Sequence, residues 1–165
     1  MKSKQMSLVV YLMVAISLLI SPLQAEESSN KAYWTDLLKK KINELNLSVG
    51  ESKTVRLVAE IPEKEILKAY SMVINFDESI MSCKVVASQN SSIKPKMISS
   101  KVDGTIAVNS FDVTGYSGKS ISIVDVTITG LKKGSYPCNL IITAFGESAD
   151  KQFIPTTNNL FINIK

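Results

Sequence analysis

No histidine occurs anywhere in the chain, and that absence alone removes Ser-His-Asp and Cys-His nucleophilic catalysis together with the usual zinc sites. Cysteine is nearly as scarce. Cys83 and Cys138 are the only two, too few for a four-thiolate metal centre. Strong charge of either sign is also missing: the formal balance is +4, and two of those charges, Lys2 and Lys4, sit in a leading segment, so nucleic-acid binding has little electrostatic footing. The longest apolar run, Leu8 to Ile20, is short of the ~20 residues that cross a bilayer. No membrane span, no cofactor and no enzymatic activity are expected from such a composition.

The fragments that resemble catalytic or metal motifs fail on their surroundings. Gly118-Lys119-Ser120 ends like a phosphate loop, but Val113 stands where the first glycine is required, and a strand-loop-strand setting is wrong for it. Asp77, Glu78, Asp112 and Asp125 could supply a carboxylate pair for glycoside hydrolysis, which also needs a cleft with aromatic walls. They read as turn and surface groups. The turn Glu147 to Asp150 lacks the alternating acids of a calcium loop.

What is present begins with a leader. Basic Lys2 and Lys4, the apolar run, Ser21-Pro22 and a small residue at Ala25 make residues 1–25 a secretory signal peptide. The remaining chain is expected to be secreted or periplasmic. In an oxidising compartment Cys83 and Cys138 either form a disulfide or lie as two small buried thiols, neighbouring and unbonded. Residues 26–44 read as an N-terminal arm. Thr35 and Asp36 could cap a short helix through Leu45, with Leu38, Ile42 and Leu45 on one face and Lys39, Lys40 and Lys41 solvated.

From residue 45 to residue 165 the pattern is short alternating runs broken about every ten residues by Gly, Pro, Asn or Asp, the pattern of an all-β sandwich or barrel. Nine strands are expected: Leu45–Val49, Val55 to a stop at Pro62, Lys68–Phe76, Ile80–Val86, Lys96–Val102, Thr105–Phe111, Val124–Thr129, Tyr136–Phe145 and Leu160–Ile164. Asp103-Gly104 predicts a tight hairpin between the fifth and sixth. Parallel pairing is not expected, since no helix-length crossover separates the strands.

The chain is organised around Lys68 to Phe76. Tyr70, Met72, Ile74 and Phe76 alternate, as in a strand buried on one side. The other side carries Ala69, Ser71, Val73 and Asn75, where a water-facing strand would usually carry charge. A side without charge invites a partner.

Three stretches together, LSVGESKTVRLVAEIP, AYSMVINFDESIMSCKVV and DGTIAVNSFDVTGYSGKSISIVDVTITGLKKGSY, resemble the cohesin modules of cellulosome scaffolds, which bind dockerins. The likeness lies in the order of features over Leu45 to Lys165: a Val-Gly turn, a strand ending in an aromatic-Asp pair, an Asp-Gly hairpin, a Gly-rich loop and an alternating strand. It implies a nine-stranded jelly roll, one sheet of which offers its outer face to a dockerin-like protein. Alternation names the residues on that face as Ala69, Ser71, Val73 and Asn75, then Ala107, Asn109 and Phe111, then Asn139, Ile141 and Thr143. Ala69 and Ser71 stand where well-known dockerin binders offer an outward Asn and Asp, so the partner's charge pattern is expected to differ. With one such module the chain would be a one-site adaptor or receptor.

Two other readings compete. A carbohydrate-binding module, taking a polysaccharide, needs a row of exposed aromatics, for which Tyr116, Tyr136, Phe145 and Phe153 are candidates. A structural subunit would assemble through a sheet edge. The docking reading requires that segment 35–45 not cover the charge-free face.

Overall fold

The computed structural model describes residues 30–89 and 91–165. The expected leader, residues 1–25, lies outside the described residues. The strands in chain order are β1 (Lys31–Thr35), β2 (Glu44–Leu47), β3 (Ser52–Ile61), β4 (Leu67–Asn75), β5 (Met81–Ala87), β6 (Met97–Val102), β7 (Thr105–Tyr116), β8 (Gly118–Gly130), β9 (Gly134–Ser148), β10 (Lys151–Gln152), β11 (Thr156–Thr157) and β12 (Leu160–Ile164). The nine expected strands are all there, joined by β1 and the two short strands β10 and β11. No helix occurs among the described residues.

The strands form two sheets, one of five in the order β11-β1-β3-β8-β5 and one of seven that runs β2-β12-β9-β4-β7-β6, with β10 on β9. Alternation explains how they pack. Val55, Leu57, Ala59 and Ile61 of β3 and Ile123, Val126 and Ile128 around β8 turn inward from the smaller sheet. Tyr70, Met72 and Ile74 of β4, Ile106 and Val108 of β7 and Leu160, Ile162 and Ile164 of β12 meet them from the larger. Burial of these apolar side chains is the main favourable term in closing the sandwich. Burial also pushes the Tyr70 phenol up from its ordinary pKa, and its hydroxyl donates to the Ile93 carbonyl at 3.4 Å.

The arm is not helical. Thr35 bridges to Lys41, the Ile42 N–H donates to the Trp34 carbonyl, and Asp36 Oδ1 accepts from the Lys40 N–H at 2.8 Å. Lys39, at φ 67°, takes a left-handed conformation that no α-helix contains. The physical reason is Trp34. It is fully buried, and seating it in the core makes Lys31–Thr35 a strand on β3, which outweighs the weak helical preference of a short lysine-rich segment. Leu38 is left exposed instead of sharing a face with Leu45.

Parallel pairing does occur, contrary to expectation. β12 lies parallel to β2, from Phe161 opposite Glu44 to Ile164 opposite Leu47, and β11 lies parallel to β1. The crossover rule concerns strands joined by a short connection. These pairs join the beginning and end of the domain, and the whole sandwich is their connection.

Two turns place the larger sheet. After β4 the chain crosses to the smaller sheet at Asp77, whose carboxylate accepts from the Ser79 N–H and hydroxyl at 2.9 and 2.6 Å. The Asp103-Gly104 hairpin joins β6 to β7 with Val102 opposite Thr105. Gly104, at φ 66°, sits so close to the Phe76 carbonyl that a Cβ there would collide with it. The Phe76 N–H donates to the Gly104 carbonyl at 2.9 Å, and Glu78 Oε2 accepts from the Gly104 N–H at 3.2 Å.

Candidate functional site

The outer face of the seven-stranded sheet is built by β9, β4 and β7, and its register fixes which side chains meet. Val73 lies opposite Ala107 on one side and Ile141 on the other. Asn75 lies opposite Thr105 and Asn139, Ser71 opposite Asn109, and Ala69 opposite Phe111. Tyr70, Met72 and Ile74 are buried in the core, so the alternating partners Ala69, Ser71, Val73 and Asn75 stand on the outside. The ten residues named from alternation thus share one surface.

Thr143 reaches it differently from the others. β9 pairs Ile142 with Met72 and Ala144 with Ser71, which leaves Thr143 as the extra residue of a bulge. Its hydroxyl then donates to Ser71 Oγ at 2.9 Å, and Ser71 Oγ donates to Asn109 Oδ1 at 2.6 Å. A second link, Thr105 Oγ1 to Asn75 Oδ1 at 3.2 Å, fixes the far end. These bonds hold polar side chains of three strands in one fixed arrangement.

The apolar part of the face is open. Phe111 is 64% exposed and Ile141 47%, with half-buried Val73 between their strands. The described part of the arm, from residue 30 on, does not cover it: β1 belongs to the opposite sheet and β2 to the distant edge beyond β12. At the rim Lys96 Nζ stands 5.9 Å from the centre of the Phe111 ring, and at the end of the same sheet Lys68 of β4 pairs with Glu147 of β9 at 3.2 Å.

Further residues of the surface were not legible from the sequence. Met97, 50% exposed, lies opposite Asn109 and Ser99 opposite Ala107, so β6 extends the face. At the other end Asn75, Phe76, Asp77, Tyr136, Pro137 and Asn139 line a notch of about 370 Å³. The strand expected at Lys96–Val102 is β6, but its burial does not alternate, so only its register against β7 puts Met97 and Ser99 on this face; the notch arises from the meeting of two strand ends and has no local signal.

The aromatics proposed for sugar do not form an exposed row. Phe145 is buried, Phe153 packs edge-on against it with ring centres 5.7 Å apart, and Tyr116 and Tyr136 rest against the core. Among the described residues no cluster of three or more Cys, Asp or Glu is placed to hold a metal. Cys83 and Cys138 are free thiols on opposing sheets, and the adjoining Cys138 thiol, followed by burial, pushes the Cys83 thiol up.

Comparison with solved structures decides the architecture. A non-cellulosomal cohesin from the archaeon Archaeoglobus fulgidus superposes with a TM-score of 0.64 at 14% identity, over 82% of this chain and 91% of that one. The chain has the cohesin fold. The sixth cohesin of Acetivibrio cellulolyticus scaffoldin B, solved in complex with a dockerin, matches at 0.62 and 14% identity over 82% of this chain and 99% of that one. The seventh ScaB type I cohesin of Pseudobacteroides cellulosolvens matches at 0.60 and 17% identity, covering 75% and 89%. No protein-family model matches the sequence, and no curated protein does. The cohesin likeness is therefore one of backbone path, at 14 to 17% identity in these matches.

No described helix is long and apolar enough to cross a membrane.

Proposed function

We propose that the protein is an exported, non-catalytic binding module that captures a dockerin-like protein through the outer face of β9, β4 and β7. One observation carries the proposal: that face is open, free of charge at its centre, apolar at Val73, Phe111 and Ile141, and ringed by pre-bonded hydroxyl and amide groups. Specific interfaces have this anatomy, an apolar centre with a polar surround. An uncovered apolar patch on an otherwise well-buried sandwich is a liability unless something occupies it. The cohesin fold and the presence of dockerins on several solved cohesins support the choice of partner. Ala69 and Ser71, small and uncharged, favour a partner surface with less basic character than a face bearing an Asp would select.

The test is capture of secreted proteins from the same cells by wild type, Val73→Asp and Ile141→Lys. The wild type is expected to retain a protein with a dockerin-like sequence, identified by mass spectrometry. Each variant should lose at least about 2 kcal/mol of binding, roughly thirtyfold in affinity, while keeping the wild-type circular dichroism and melting curve. Equal capture by all three would remove this face from consideration, and retention of no dockerin-like protein would overturn the choice of partner.

A further inference from the structure

The two cysteines are the chain's only ones, and the fold brings them together from positions far apart in sequence. Cys83 lies on β5, opposite Ile128 of β8, between the buried side chains of Met81 and Val85. It faces inward from the edge of the five-stranded sheet. Cys138 lies on β9, opposite Leu160 of β12, fully buried beside Leu140, and faces inward from the seven-stranded sheet. Their side chains adjoin across the layer between the sheets.

Alternative uses of such a pair are poorly served. No third Cys, Asp or Glu joins them among the described residues to complete a metal site, and their surroundings are aliphatic, without the neighbouring cation that makes a thiol reactive.

The geometry points to Cys83 and Cys138 forming a single disulfide that staples the two sheets of the sandwich. A disulfide needs its sulfurs about 2.05 Å apart, and both side chains already point into the same layer between the sheets. The closed loop contains β6, β7 and β8 and ties β9, a central strand of the exposed face, to the opposite sheet. The oxidant is a disulfide compound, such as oxidised glutathione or an oxidoreductase disulfide. One protein thiolate attacks it, releasing one thiol of the oxidant and leaving a mixed disulfide. The second protein thiolate then displaces the other half, so two protons and two electrons leave the protein as the oxidant becomes two thiols. In the folded state Cys138 is buried and Cys83 half-buried, so the bond forms most readily while the sheets are still closing.

The experiment refolds the full chain with reduced and oxidised glutathione, blocks free thiols in denaturant and maps the peptides. The expected result is no blocked cysteine and one cross-linked peptide pair containing Cys83 and Cys138. The melting temperature should fall by about 10 °C on adding a reductant, and the double variant Cys83→Ala, Cys138→Ala should melt close to the reduced wild type without responding to reductant. Two blocked cysteines after oxidative refolding, or disulfide-linked dimers in place of the internal bond, would overturn the proposal. None of these readouts involves partner capture, so the outcome is separate from that of the docking face.

Discussion

The two outer faces of the sandwich solve the problem of a solvent-facing sheet in opposite ways. On the five-stranded sheet, β3 and β8 pair their outward groups with one another. Ser52 bonds to Thr129 at 2.6 Å and Thr54 to Thr127 at 2.8 Å, and Arg56 grips Asp125 through two hydrogen bonds of 2.7 and 3.0 Å. The ion pair is nearly sealed, its side chains 9% and 12% exposed, in a recess of about 460 Å³ whose walls include Leu37, Val86 and Gln89. On the seven-stranded sheet the polar groups also bond to one another, but the centre is Val73, Ile141 and Phe111, with no described residue over them. The first face ties its central polar groups to one another and keeps exposed Leu37 and Val86 at the margin of its recess; the second has an apolar centre that no described residue buries.

That contrast can be broken from either side. The largest effect should come from the closed face. Asp125→Ala leaves the Arg56 guanidinium buried without its partner, and loss of one member of a buried pair costs about 3 kcal/mol or more. The urea midpoint should drop sharply while capture per folded molecule is unchanged. Next comes the open face, where Val73→Asp and Ile141→Lys should do the reverse, costing about 2 kcal/mol of binding with little change in the urea midpoint. If both classes of variant lowered stability alike, the distinction between the faces would be lost.

A smaller effect should touch both properties. Gly104→Ala forces a side chain into a left-handed position against the Phe76 carbonyl, at a cost of about 1 to 2 kcal/mol. It should loosen the end of β6, β7 and β4 together, which amide hydrogen exchange would register in those strands before β3 and β8. The smallest effect is that of acid. Hydrogen bonds from Ser79 hold Asp77 below the usual carboxylate range, and Lys68 and Lys151 do the same for Glu147. A group whose pKa is lower in the folded state stabilises the fold above its unfolded value and loses that contribution as pH falls through the folded one. Thermal stability should therefore decline gently from about pH 5 to about pH 2, and salt should weaken the Glu147 part, since its ion pairs are exposed.

The open face was legible in the sequence and the closed one was not, for a physical reason. Strand periodicity is local, so Tyr70, Met72 and Ile74 reveal both the buried side of β4 and the identity of its other side. Arg56 and Asp125 are 69 residues apart, and nothing near either one announces the other. Alternation gave Arg56 as simply outward, whereas it is sealed by its pairing. The arm was misjudged because the apolar spacing of Leu38, Ile42 and Leu45 suits a helix, while the residue that decides the matter, Trp34, acts through a core built from distant strands. The bulge at Thr143 and the parallel pairs of β1 and β2 are likewise set by register between remote segments. Asp103-Gly104 carries its own turn chemistry, and the hairpin there needed no tertiary information.

The parallel junction of β12 with β2 bears on how the molecule comes into being. Residues 160–164 occupy the space between Glu44–Leu47 and β9, so a nascent chain cannot complete its larger sheet until the other strands of the sandwich have been translated. Such distant pairing delays assembly, and throughout that interval β2 and β9 lack the strand that joins them.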